Sequence, residues 1–264
     1  MKYVLITGAN GGMGRATVRR FAENGYFVFA LDRVKCEEQP NVMPIEADVT
    51  DEKSLARAAE SVASVTKELF AVIHFAGIYM LDSFAEMDGE AFERIFKINV
   101  FGAFYVNKTF IPFLKDGSRI LITTSELAHL SPLPFTGAYA VTKGALDKYA
   151  YSLAMELQLL GISVSVLRAG AVDTGMLGVS TTALDKFCDN TKIYKCNAAR
   201  FKNIVNSVEA KKIPPEKIAI KAYKIVAAKC PKFAYAINRN PLLLMLNALP
   251  KRLQLFIIKR ILKP

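Results

Sequence analysis

Lys2-Tyr-Val-Leu-Ile-Thr7-Gly8-Ala-Asn10-Gly11-Gly12-Met13-Gly14, followed by Arg15-Ala-Thr-Val-Arg-Arg-Phe-Ala-Glu23, decides the fold. A short apolar, β-branched run passes into glycines and then into a stretch of helical periodicity, which reads as strand, turn, helix. Glycines permit positive φ, let a phosphate approach the main chain and allow a helix to pack close to a strand. The helix N-terminus adds unpaired N–H groups and partial positive charge. The expected occupant of such a cradle is a pyrophosphate.

Outward from this unit, apolar runs alternate with amphipathic stretches, the pattern of βαβ units that build a parallel sheet. Further strands are predicted at Tyr26–Leu31, Val42–Glu46, Phe70–Phe75, Arg119–Thr123, Ser163–Leu167 and Phe233–Ile237. Long helices are predicted at about 51–68, 88–114, 137–160 and 215–229, with Pro112 near a helix end. The fold class is therefore α/β: a Rossmann-type, doubly wound parallel sheet of about seven strands with helices on both faces. Neither a repeat nor a linker interrupts it, so residues 1–264 are expected to form a single dinucleotide-binding and catalytic domain.

The composition narrows the class. No stretch approaches the ~18 consecutive apolar residues of a membrane span, and no signal segment precedes the first strand, so a cytoplasmic protein is expected. Four cysteines (Cys36, Cys188, Cys196, Cys230) and two histidines (His74, His129) form no paired motif. Neither a disulfide framework nor a metal site is expected.

Two local signals suggest chemistry. Asp32 closes the second strand, eighteen residues after Gly14, where a carboxylate accepts hydrogen bonds from an adenosine ribose and repels a 2′-phosphate. That favours NAD(H), while the neighbouring Arg33, able to bind a 2′-phosphate, leaves NADP(H) open. Tyr139 and Lys143 share a helix face at a spacing of four. A phenol of pKa about 10 beside an ammonium is expected to titrate lower and to serve as an acid/base.

These residues together resemble the short-chain dehydrogenases/reductases, in their compact single-domain form. The motifs run in order over nearly the whole chain. They are Thr7-Gly8-x-x-x-Gly12-x-Gly14, Asp48-Val49, Ala76-Gly77, Asn99, Ser125, Tyr139-x-x-x-Lys143 and Gly170-x-Val172-x-Thr174. The resemblance implies that Asp48 and Val49 contact the adenine, that Ala76 and Gly77 line the cofactor, and that Thr174 anchors the nicotinamide carboxamide. It also implies a tetrad. Tyr139 is the proton-transfer group, Lys143 tunes it and orients the ribose, Ser125 holds the substrate oxygen, and the Asn99 carboxamide holds a relaying water. The activity implied is interconversion of a secondary alcohol and a ketone. A cofactor-sensing or membrane-associated binding protein on the same fold is the alternative. The resemblance further implies a homodimer or homotetramer built through the two long helices flanking the fifth strand.

Three departures from the family pattern stand out: His74-Phe75 where two asparagines are usual, Arg168-Ala169 where Asn-Pro is usual, and one surplus residue between Ser125 and Tyr139. His74 is expected to be a structural stand-in and the surplus residue to be absorbed at Pro132-Leu-Pro134.

The substrate end is expected to be apolar. Residues 175–212 should form a lid that includes Met176, Leu177, Leu184, Phe187 and Phe201, while Leu127, His129, Leu130, Leu133 and Phe135 add a second wall. Leu127, Leu133 and Met176 are the candidate substrate contacts. A bulky lipophilic, steroid-like alcohol or ketone is expected, in keeping with a similarity to hydroxysteroid and retinoid dehydrogenases. Charge is segregated: residues 181–264 carry 18 Lys/Arg against 4 Asp/Glu, and residues 1–180 carry 17 against 20. The basic, apolar tail 241–264 is expected either to contact a membrane surface or to pack as two short helices on the lid or on a second subunit. Nucleic acid is not an expected partner, because no stacking platform accompanies the basic residues.

Overall fold

The structure, a computed structural model, describes residues 1–207 and 212–263, with backbone alone at 175–182 and 206–207. Seven parallel strands form one sheet in the order β3-β2-β1-β4-β5-β6-β7. They are β1 (Lys2–Thr7), β2 (Tyr26–Asp32), β3 (Val42–Glu46), β4 (Ala71–His74), β5 (Arg119–Ser125), β6 (Ser163–Ala169) and β7 (Ala234–Ile237). All seven were legible as apolar runs, the inner strands because strands buried on both faces have no polar side to show. β5 and β6 run two residues further than expected, since Thr124–Arg168 and Ser125–Ala169 still pair.

Alternation along the strands feeds two cores. Leu5, Phe29, Val72, Ile120 and Val166 face one layer with Phe110, Leu146 and Leu153, whereas Val4, Ile6, Val28, Ile73 and Leu121 face the other with Phe21, Ile218 and Ile225. The first layer is built by α2 (Glu52–Ala63), α4 (Gly102–Phe110) and α5 (Gly137–Leu157), the second by α1 (Gly12–Glu23) and α8 (Pro215–Ala227). Burying one such Phe or Leu contributes roughly 1.5–3 kcal/mol.

Helix ends depart from expectation. α2 stops at Ala63, not 68, and its start is fixed by Asp51, whose carboxylate accepts from Lys53 N. The stretch 88–114 is not one helix. It comprises α3 (Gly89–Phe96), a π-helical turn (Lys97–Phe101), α4 and a closing 3-10 turn (Ile111–Phe113) that contains Pro112. The π turn carries Asn99, and such turns mark functional sites more often than chance.

Beyond β6 come α6 (Gly175–Asn190) and α7 (Lys195–Ser207), and after β7 come α9 (Pro241–Ala248) and α10 (Lys251–Leu262). A third apolar cluster, Leu81, Leu184, Phe187, Ala198, Phe201 and Leu262, joins α6, α7 and α10. α10 therefore packs on the lid through Ile258 and Leu262, while Leu242, Met245, Leu255 and Phe256 of the tail stay exposed. Asn197 Nδ2 ties the lid to the tail by donating to the Leu262 carbonyl at 2.7 Å.

The departures at β4 and β6 have structural roles. Buried His74 Nε2 donates to Asn107 Oδ1 at 2.8 Å, and Asn107 Nδ2 donates to the Tyr149 hydroxyl at 3.0 Å, linking β4 through α4 to α5. Burial pushes the His74 imidazole down to about 4, so it is neutral at ordinary pH. Arg168 meets Asp147 in a two-pronged pair, Nε to Oδ1 at 3.0 Å and Nη2 to Oδ2 at 2.7 Å, which fastens β6 to α5.

Candidate active site

Strand order reverses between β1 and β4, so a crevice opens at their carboxyl ends, the place where doubly wound sheets bind ligands. A Cβ on Gly8, which has φ +67°, would lie 2.5 Å from Ala76 N, and a Cβ on Gly14 would lie 2.0 Å from Gly8 O. Only glycine fits either position, and together they bring the N-terminus of α1 against the strand ends. The resulting cleft of about 820 Å³ is lined by Gly8, Asn10, Gly11, Gly12, Met13, Gly14, Asp32, Arg33, Asp48, Val49, Ala76, Gly77 and Thr174. Thr174 closes it from above: a Cβ on Gly12 would meet Thr174 Cγ2 at 2.8 Å.

The acids at the cleft are partly committed. Asn10 N donates to Asp32 Oδ2 at 2.9 Å, fastening the glycine loop to the end of β2. Asp48 Oδ1 accepts from Thr50 N at 2.8 Å and from Thr50 Oγ1 at 2.7 Å, holding its own turn. Five expected cofactor contacts, Thr7, Tyr139, Lys143, Gly170 and Val172, are not among the residues lining the cleft. Thr7 is fully buried, its Oγ1 accepting from Ala76 N at 3.4 Å. Gly170 abuts Asn238, whose carbonyl would stand 1.9 Å from an added Cβ. Val172 is buried in the second core, bridged to Ile213. Thr7, Gly170 and Val172 each pack against the strand ends that frame the cleft.

Ser125, Tyr139, Lys143 and Asn99 group near the cleft without being among its lining residues. Gly77 joins them to it: a Cβ there would lie 3.1 Å from Asn99 Oδ1 and 3.5 Å from Lys143 Nζ. Ser125 Oγ caps the turn after β5, accepting from Leu127 N at 3.2 Å, and the side chain acts to lower the pKa of the Tyr139 phenol. Buried Lys143 donates to the Thr123 carbonyl at 3.2 Å, and burial lowers its ammonium to about 8. Its Nζ sits 5.7 Å from the centre of the Tyr139 ring.

One expectation needs correction here. The phenol does not titrate low. Burial pushes Tyr139 above the ordinary phenol range and the Tyr79 ring adds to this, while the Ser125 side chain only partly offsets them. The cation that was to lower it is itself desolvated and turned to a carbonyl. The Asn99 carboxamide is largely committed to protein partners. Its Oδ1 accepts from Ile78 N at 2.8 Å, and Nδ2 donates to the Ile78 carbonyl at 3.0 Å and to Thr142 Oγ1 at 3.1 Å. Both amide protons are used, leaving one lone pair on the oxygen.

Sequence reasoning missed Tyr79, whose ring centre lies 4.9 Å from that of Tyr139. It also missed Arg94 and Lys97, which line the cleft from α3 and the π turn. Their spacing of three on a helical segment facing the glycine turn was the available signal. On the substrate side Leu133 and Phe135 pack with Tyr79 and Tyr194 against the lid cluster. Phe135 holds φ +67°, rare for an aromatic residue, and its ring lies 4.5 Å from Phe187 and 5.5 Å from Phe201. Leu127 is half-buried in the turn after Ser125, and Met176 lies outside the described side chains. His129 is not part of an apolar wall, because its Nε2 accepts from Arg239 Nη2 at 3.1 Å. Among the described residues there is no cluster able to hold a metal ion and no helix long and apolar enough to cross a membrane. All four cysteines are free thiols.

Comparison with known proteins agrees with this geometry. The family described as short chain dehydrogenase matches residues 2–185. Over 249 residues the chain is 26% identical to 3-ketodihydrosphingosine reductase of Bacteroides thetaiotaomicron, covering 94% of this chain and 91% of that protein. It is likewise 26% identical over 257 residues to NADPH-dependent 3-dehydrocapnine reductase of Ornithobacterium rhinotracheale, covering 92% and 90%. Estradiol 17-beta-dehydrogenase 2 of Mus musculus is 30% identical over 195 residues, 67% of this chain and only half of that protein. Among solved structures, the NADH complex of a 3-ketoacyl-(acyl-carrier-protein) reductase from Brucella melitensis superposes with a TM-score of 0.73 at 24% identity, covering 89% of this chain and 96% of that one. The chain belongs to the short chain dehydrogenase family, whose oxidoreductase members use NAD(P)(H).

Proposed function

We propose that the chain is a single-domain, NAD(H)-dependent reductase of a lipophilic ketone. The observation that carries this reading is the grouping of Lys143, its Nζ 5.7 Å from the centre of the Tyr139 ring, directly behind Gly77 of a dinucleotide-sized cleft. The cleft fits a dinucleotide because Gly8 and Gly14 leave room that a Cβ would fill. Bound there, the nicotinamide supplies hydride to the ketone carbon.

The chain's own residues do the rest. Ser125 Oγ positions the ketone oxygen beside the phenol, and Tyr139 delivers a proton to that oxygen as it becomes an alcohol. Tyr139 is protonated across the neutral range, the state a proton donor needs, while burial in the free chain makes the phenol a weaker acid. Lys143, the partner that the resemblance assigns to the ribose hydroxyls, carries its charge below a pKa of about 8. Asn99 fixes Ile78 and so the chain next to Gly77.

Asp32 at the cleft favours NAD(H) over NADP(H), although a relative matched along its whole length is named as NADPH-dependent. Leu133, Phe135 and the lid supply an apolar wall, and the whole-length relatives are named for reduction of a 3-keto or 3-dehydro group. Exposed Phe101, Phe104, Val141, Tyr151 and Met155 lie in or beside α4 and α5, which supports a homodimer or homotetramer through those helices. The test is a fluorescence titration with NADH and NADPH, followed by a screen of long-chain and steroid 3-ketones for NADH oxidation. Tighter NADH binding with turnover of an apolar ketone is expected. Cofactor binding with no turnover on any ketone would return the chain to the sensing alternative.

A further inference from the structure

α9 and α10 present an outer face that nothing among the described residues covers. Met245 is 68% exposed, Leu255 72% and Phe256 56%, with Leu242 and Leu253 also exposed. The buried side of α10 is Gln254 and Leu262, so Leu253, Leu255 and Phe256 lie on the side away from the lid. Interleaved with them are Arg252, Lys259, Arg260 and Lys263, all exposed. The segment 241–264 contains five Lys/Arg and no Asp/Glu. Large apolar side chains standing in water among cations of one sign are costly for a face that stays in solution. They suit an interface whose outer layer is anionic and whose inner layer is hydrocarbon.

A second copy of the chain fits this face poorly. A symmetric contact would bring five cations against five more with no acid to receive them. The apolar outer surface at α4 and α5 gives a second subunit another place to bind. A groove of about 870 Å³ runs between the loop 131–137 and the last two helices, and its lining includes exposed Leu255, Lys259 and Lys263. It thus opens on the same face and is walled by Leu133 and Phe135 of the substrate loop.

We propose that α9 and α10 dock the protein on an anionic lipid bilayer, with Leu242, Met245, Leu255 and Phe256 inserted among the acyl chains and Arg252, Lys259, Arg260 and Lys263 paired with headgroups. The groove then faces the bilayer, so an apolar substrate reaches the lid without crossing water. Docking itself needs neither cofactor nor turnover.

The experiment is vesicle flotation of the full chain with phosphatidylcholine vesicles, with and without phosphatidylserine, at low and high salt. Thermal unfolding and size-exclusion elution are recorded for each variant. Flotation with phosphatidylserine vesicles that fades with salt is expected, with little on phosphatidylcholine alone. Lys259→Glu/Arg260→Glu should weaken partitioning about tenfold or more, and Leu255→Ser/Phe256→Ser should weaken it while leaving the melting temperature in place. No flotation of the folded wild-type chain on phosphatidylserine vesicles overturns the proposal. So does flotation that neither double variant alters. A dimer in solution that Leu255→Ser/Phe256→Ser splits would instead assign the face to a second copy and also overturn it.

Discussion

The half of the molecule around the glycine turn and the half made of lid and tail differ in how far each position is constrained. At Gly8 and Gly14 a single added carbon would collide with backbone, and at Ser125 and Lys143 the polar side-chain atom has a named partner. Such positions tolerate one residue type. In the lid and tail, Leu184, Phe187, Phe201 and Leu262 need only be apolar and of suitable size. Charge follows the same division, near balance in residues 1–180 and strongly basic in residues 181–264. Chemistry is held by exact contacts in the first region, while access and location are governed by bulk properties in the second.

Substitutions should separate the two regions, the largest effects falling in the first. Gly14→Ala forces a carbon to within 2.0 Å of Gly8 O. Dinucleotide affinity should fall by about 100-fold or more, with a lowered melting temperature. Asp147→Ala leaves Arg168 unpaired between β6 and α5, and chemical denaturation should show a loss of about 2–4 kcal/mol. His74 has a folded-state pKa of about 4 against an ordinary 6.5, so the unfolded chain takes up its proton first on acidification. Stability is therefore complete above about pH 6.5 and declines towards pH 4, by roughly 2–3 kcal/mol. His74→Asn should flatten that decline in urea titrations at several pH values. Ketone reduction should fall as pH rises through about 8, where Lys143 loses its charge, and a pH profile of kcat/KM that stays level to pH 10 would break that assignment. The smallest effect belongs to the lid. Phe135→Leu removes ring contacts with Phe187 and Phe201, and should raise KM for an apolar ketone a few-fold with little change in kcat.

The same contrast explains what could be read in advance. β1 to β7 were visible as apolar runs, the inner strands because strands sandwiched between helices must be apolar throughout, and the motif residues were visible because their order is specific. The break at Lys97–Phe101 was not visible, since a π turn differs from its neighbours by one inserted residue and not by composition. Thr7, Gly170 and Val172 match the motif yet pack against protein, because spacing along a chain does not reveal which side of a strand end is buried. The Tyr139 shift was misjudged because spacing shows a cation nearby but not the burial that outweighs it. Tyr79 was missed because it follows β4 in an irregular segment with no periodicity to place its ring.

The account rests on Tyr139 giving its proton near the dinucleotide cleft. The direct test compares wild type with Tyr139→Phe, following NADH oxidation by an apolar 3-ketone while measuring NADH affinity on the same samples. The prediction is turnover reduced by about 100-fold or more with NADH affinity unchanged. Turnover by Tyr139→Phe at the wild-type rate would contradict it.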